Sequence, residues 1–197
     1  GILGRLQNEK DVEEMKQYEI PAFDLVIVDL YPFEETVKKT DDPAQIIEKI
    51  DIGGISLIRA GAKNFNEVVI VPDSKYYLEF MELYKNQDGC TSIEDRKRFA
   101  KYAFATSSHY DGMIYDWFAK DDDTSDLNIH IDSRSELRYG ENPHQKAAFY
   151  GNLDDVFEKL HGKDLSYNNL LDLEAGLNLI REFEEPTFTI LKHNNPC

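Results

Sequence analysis

At 197 residues the chain is long enough for one large domain or two small ones, and 41% hydrophobic with 12% aromatic residues is a globular composition. A formal net charge of −16 argues against a nucleic-acid partner, which calls for a basic footprint, but not against a small anion held by a few donors. No apolar run reaches the roughly eighteen residues of a membrane span, no charged-then-apolar opening marks a secretory signal, and two cysteines, Cys90 and Cys197, make no disulfide framework, which fits a reducing cytoplasm.

The charged stretch 8–18 is helix-prone and ends at Ile20-Pro21, because the residue before proline avoids the α region. Residues 24–29 (DLVIVD) form a short β-branched run with the pattern of a buried parallel strand. Pro43 after Asp41-Asp42 suits the first position of a helix through Ile50. A second strand is expected over 67–71, ending at Pro72, then helices over 76–84 and 92–118, with Thr91 and Glu94 as a capping box for the longer one. The aromatics of that helix (Phe99, Tyr102, Phe104, Tyr110, Tyr115, Trp117, Phe118) fall mostly at helical spacing and read as core. Residues 120–126 (KDDDTSD) contain no apolar side chain and read as a linker, so the expected domains are 1–126 and 127–197. Beyond it, strands are expected over 127–131, 147–150 and 187–191, with a helix over 170–183. Strands alternating with helices on both sides of the linker give an α/β fold class.

Two blocks concentrate polar residues at the ends of apolar segments. In the first, Tyr31 follows the 24–29 strand, Asp51-Ile52-Gly53-Gly54 opens an apolar helical stretch, Arg59 follows, and Lys63 closes it. Paired glycines there let backbone N–H groups approach an anion or a polar ring at a helix N-terminus. Taken singly, these residues also read as a loop aromatic, an N-cap, a turn and a C-terminal charge. In the second block, Arg138-Tyr139 offers a cation and an aromatic face, Asn168, Asn169 and Asp172 lie at a helix start, and Lys192-His193 follows an apolar strand. A lysine beside a histidine opposes its protonation, which suits a general base, although a strand-end histidine with a solvated lysine has the same sequence. The five histidines show no pairing at metal-ligand spacing, so no metal is predicted from this segment.

In order along the chain, DLYPF, IDIGGISLIRAGAKN, LRYGENPHQ, LSYNNLLD and LKHNNPC resemble the bifunctional purine biosynthesis family that joins an AICAR transformylase to an IMP cyclohydrolase. The resemblance covers nearly the whole chain. It implies the later part of a methylglyoxal-synthase-like (Rossmann-like) cyclohydrolase domain, followed by the start of a cytidine-deaminase-like transformylase domain. It makes Tyr31, Asp51 and Lys63 catalytic in the first, with Ile52, Gly53 and Gly54 contacting the nucleotide. In the second it makes Lys192 and His193 the catalytic pair and Arg138, Tyr139 and Asn169 binders of AICAR, with His144 and Asp172 as further candidates. Asp29 departs from the family, where many members carry Asn; an ionised carboxylate cannot donate a hydrogen bond.

The implied reactions are formyl transfer from the cosubstrate 10-formyltetrahydrofolate to AICAR, then closure of formyl-AICAR to IMP with loss of water. The implied setting is a cytoplasmic homodimer acting on small nucleotides, with no membrane or nucleic-acid partner. Family members extend before GILGR and after KHNNPC, so the chain reads as an internal segment, inactive when isolated. Two other readings are a single-activity cyclohydrolase with a degenerate appendage, opposed by intact LRYGENPHQ and KHNNPC, and a non-catalytic nucleotide-binding module.

Overall fold

Asn8 fixes where the first helix begins: its side chain accepts the Asp11 N–H at 3.1 Å and caps α1 (Glu9–Gln17), as the charged stretch predicts. The computed structural model describes residues 1–122, 126, 128–129, 131, 133–192 and 195–196. Part of the expected linker (123–125), together with His193 and Cys197, lies outside the described residues. The chain divides into two units, Gly1–His130 and Ile131–Cys197, and the architecture is mixed α/β.

In the first unit β1 (Leu25–Ile27) pairs in parallel with β2 (Val69–Val71), in the register Leu25 with Val69 and Ile27 with Val71. Between them run α2 (Phe33–Lys39), α3 (Pro43–Ile47) and α4 (Gly53–Lys63), the helical crossover that a parallel pair requires. Gly61 of α4 faces Ile70, where a Cβ would lie 3.1 Å from the isoleucine Cβ. Helix and strand therefore pack closely, burying Ile58, Ala62 and Ile70 together.

β2 is buried at all three positions, but β1 is not the fully buried strand its composition predicts. The pleat turns Val26 toward the core and leaves Leu25 and Ile27 36% and 50% exposed. α3 also stops short of Ile50, because the Lys49 and Ile50 amides bond three residues back, to Ile46 and Ile47, and tighten the chain into a turn.

After a 3-10 turn at Ser74–Tyr76 come α5 (Tyr77–Asn86) and the 26-residue α6 (Ile93–Phe118). The capping box of α6 is Ser92 with Asp95, one residue beyond the Thr91/Glu94 pair expected, and Thr91 instead accepts from Arg96 through its carbonyl and hydroxyl oxygens. Three core clusters line α6: Ala100 and Ala103 against Ile58 and Ile70, Phe99 against Val69, Val71 and Phe80, and Tyr110 against Phe33 and Ile46. The aromatics of α6 thus divide: Phe99 and Tyr110 are core, whereas Phe104 and Phe118 lie on the outer face and stay exposed.

In the second unit β3 (Arg134–Leu137) and β4 (Ala147–Tyr150) form an antiparallel hairpin, followed by α7 (Tyr167–Ile180) and the two-residue strands β5 (Leu191–Lys192) and β6 (Asn195–Pro196). The described residues of 127–131 form no strand, and of 187–191 only Leu191 does. Both stretches have strand composition, but a strand persists only where a neighbour takes up its backbone hydrogen bonds. α7 begins three residues before the expected Leu170, because Ser166 and Asn169 form a capping box ahead of it. Among the described residues, no helix is long and apolar enough to cross a membrane.

Candidate functional site

The first cluster forms at the N-terminus of α4. Asp51 sits two residues before the helix, and its Oδ1 accepts the Gly54 N–H at 2.6 Å, while its Oδ2 accepts the Tyr31 N–H at 3.4 Å. One carboxylate therefore joins the loop leaving β1 to the start of α4. Gly54 permits this approach, since a Cβ there would lie 2.8 Å from both carboxylate oxygens. A Cβ built on Gly53 would meet nothing within 4 Å, so this position borders open space, and Ile52 beside it is 71% exposed. The Tyr31 ring is exposed, with the Lys49 ammonium 5.7 Å from its centroid, a favourable cation–π distance.

Tyr31, Asp51, Ile52, Gly53 and Gly54 are thus brought together, but Lys63 is not. It closes α4 ten residues beyond Gly53, roughly 15 Å along the axis at about 1.5 Å per residue, and is exposed. Arg59, one turn earlier, donates to the Ser107 hydroxyl at 3.1 Å and lies over the Phe104 ring, bracing α4 against α6. Asp29 accepts from the Tyr77 hydroxyl, and that bond pushes the Tyr77 phenol above its ordinary range.

Two participants escape a reading of the sequence. Lys49 lies beside the IDIGG motif but has no spacing that marks it. Tyr110 is 59 residues from Asp51, and only the packing of α6 brings its hydroxyl to the Asp51 amide, at 2.9 Å.

The second cluster surrounds the N-terminus of α7. The Arg138 N–H donates to the Leu165 carbonyl at 2.8 Å and the Tyr167 N–H to the Tyr139 carbonyl at 3.0 Å, so the chain leaving β3 is laced to the start of the helix. The Arg138 guanidinium lies 4.8 Å from the centroid of the Tyr139 ring. Bonding to Ser166 first, and to Arg138 second, holds the Tyr139 phenol below its ordinary range. Asn169, an exposed residue, accepts from the Ser166 N–H and hydroxyl through its amide oxygen. Asn168 donates to the Glu141 carbonyl at 3.0 Å and ties down the turn that carries the exposed His144.

Asp172 is partly buried one turn into α7. Gly176, further along α7, lets Leu191 close on the helix: a Cβ there would lie 2.7 Å from the Leu191 Cδ1, so the start of β5 and the adjacent Lys192 depend on this contact. Lys192 is exposed in β5, and His193 lies outside the described residues.

A cavity of about 520 Å³ between the hairpin and α7 is lined mainly by apolar side chains such as Leu137, Phe149, Leu170 and Leu177, with Glu174, Asn178 and Arg181 also on its wall, and holds none of these candidates. Among the described residues, no group of three or more His, Cys, Asp or Glu is placed to hold a metal ion.

Both units are α/β, and in each of them polar groups gather where the chain leaving a strand meets a helix N-terminus. The family model of the AICARFT/IMPCHase bienzyme matches residues 61–197, and the chain belongs to that family. It is similar over all its length to the bifunctional purine biosynthesis protein PurH of Bacteroides thetaiotaomicron, at 52% identity, and to that of Microcystis aeruginosa, at 45%. The chain spans 39% and 40% of those two relatives. The crystal structure of ForH is similar at a TM-score of 0.51 and 33% identity, over 60% of this chain and 61% of that one.

Proposed function

We propose that this chain is the part of a bifunctional purine enzyme in which the cyclohydrolase domain, 1–126, passes into the transformylase domain, 127–197. The whole enzyme transfers the formyl group of 10-formyltetrahydrofolate to AICAR and closes formyl-AICAR to IMP. The observation that carries this reading is the match to the AICARFT/IMPCHase bienzyme family over residues 61–197, together with similarity along all of this chain to two proteins named bifunctional purine biosynthesis protein PurH. The first unit is assigned to a methylglyoxal-synthase-like fold and the second to the start of a cytidine-deaminase-like one, in a cytoplasmic homodimer.

In the first unit ring closure requires an amide nitrogen to attack the formyl carbon while an oxyanion forms and a proton leaves. Tyr31, whose backbone N–H bonds Asp51, has an exposed ring, and its phenol is assigned to donate to that oxyanion. The Asp51 carboxylate, already turned toward Gly54, orients the carboxamide N–H by accepting from it. Ile52, Gly53 and Gly54 contact the nucleotide, which would lie in the open space beside Gly53 and the exposed Ile52. Lys63 is the second assigned donor, and its distance along α4 requires it to act from another direction than Asp51.

In the second unit Arg138 and Tyr139 hold the phosphate and base of AICAR, and the Asn169 NH2 group bonds it, with His144 and Asp172 at the margin. His193 takes the proton of the weakly nucleophilic amine as it attacks the formyl carbon, and Lys192 supports the charge of the tetrahedral centre.

The test uses the protein encoded by its complete reading frame, with formyl transfer and cyclisation assayed separately. Lys63→Ala is expected to cut cyclisation and spare formyl transfer, because the two sites lie in different units. Equal loss of both activities in a folded protein counts against two independent sites, and nucleotide binding without either turnover replaces the reading with a non-catalytic binding module.

A further inference from the structure

We infer that Tyr110, far from both motifs of the first unit, is a positioning residue for the Tyr31–Asp51 cluster; this rests on the cyclohydrolase reading above. Its hydroxyl is used in both directions: it accepts the Asp51 N–H at 2.9 Å and donates to the Lys49 carbonyl at 2.8 Å. The turn 49–51 has Lys49 facing the Tyr31 ring at one end and the Asp51 carboxylate at the other. A single phenol therefore sets the height and tilt of that turn. The Tyr110 ring packs edge-on against Phe33, with centroids 6.2 Å apart, and Phe33 stands two residues after Tyr31. One side chain of α6 thus holds the loop that carries Tyr31 through its ring and the loop that carries Asp51 through its hydroxyl.

Tyr110 is 9% exposed, and Phe33 and Ile46 beside it are 2% exposed. Burial pushes its phenol above the ordinary range, so at neutral pH it keeps the proton given to Lys49. The Tyr110 hydroxyl bonds the backbone of residues 49 and 51, so its action on chemistry is through the loop. A misplacement of about 1 Å at a reacting group can cost roughly 100-fold in rate.

The test is Tyr110→Phe in the protein encoded by its complete reading frame, since phenylalanine keeps the ring against Phe33 and removes only the hydroxyl. The kcat for cyclisation is expected to fall about 10- to 100-fold with KM for formyl-AICAR within about threefold and formyl transfer unchanged. Tyr102→Phe is the control: its hydroxyl, also on α6, bonds Glu79 at 3.3 Å and touches no member of the cluster, so cyclisation should be unaffected. Amide exchange on the unsubstituted protein tests the same bond without a variant: the Asp51 N–H should be protected although it belongs to no helix or strand.

A kcat within twofold of the unsubstituted protein, an equal loss in Tyr102→Phe, or an unprotected Asp51 amide overturns the assignment. Asp51→Asn separates this from the underlying reading. If it leaves cyclisation intact, the cyclohydrolase site itself is misplaced; if it abolishes cyclisation while Tyr110→Phe does not, only the positioning role falls.

Discussion

Alanine at Gly54 isolates the Asp51 carboxylate from the stability of the helix it caps. The new Cβ would stand 2.8 Å from both carboxylate oxygens and 3.0 Å from the Cγ, where ordinary contact begins at 3.4 Å. The carboxylate must withdraw by at least half an ångström, by about the difference of those distances, and its 2.6 Å bond to the Gly54 N–H is lost or bent. Losing a cap of this kind costs about 0.5–2 kcal/mol, while replacing glycine by alanine in a helix returns up to about 1 kcal/mol. The two nearly cancel, so Gly54→Ala should shift unfolding by no more than about 1 kcal/mol yet reduce cyclisation strongly. Gly53→Ala meets nothing within 4 Å and should stabilise the unliganded protein by a few tenths to about 1 kcal/mol, while its methyl intrudes on the nucleotide and raises KM. Urea unfolding and IMP formation, both measured on the protein encoded by the complete reading frame, give the stability and the rate. A Gly54→Ala protein that keeps cyclisation within twofold, or that unfolds far more easily than the cancellation allows, would refute the reasoning.

His193→Ala should lower formyl transfer by roughly 10²–10⁴-fold while AICAR still binds. Lys192→Ala should also be damaging, and single-turnover rates of the double variant should fall less than the product of the two losses, since the residues act as a unit. Asp95 supplies a pH test. Its bonds to Ser92 first, and to Gln87, hold its carboxyl below the ordinary carboxylate range in the folded state. That contribution is complete above the unfolded value of about 4 and is lost as pH falls through the lower folded value. Asp95→Ala should therefore unfold at lower urea by about 1 kcal/mol at pH 7, and the gap should narrow well below pH 4; an unchanged gap in acid contradicts the assignment.

The local signals were legible because they act within a few residues. Asn8 caps the helix it precedes, Pro43 opens α3, and the glycine pair opens α4, each through a bond or a dihedral that immediate neighbours set. The β-branched runs 24–29 and 67–71 likewise identified the two strands of the parallel pair, and the motifs of both units identified the family. Composition could not say how much of each run becomes strand or how deeply it is buried, because both depend on neighbours. Leu25 and Ile27 look like core residues in sequence and face outward, and the stretch 187–191 keeps a strand only where β6 pairs with it. Tertiary packing alone placed the Tyr110 hydroxyl on the Asp51 amide and Lys49 over Tyr31. A sequence lists which polar groups are available; the path of α6 across the first unit decides which of them meet, since contacts between residues some sixty positions apart have no local cause.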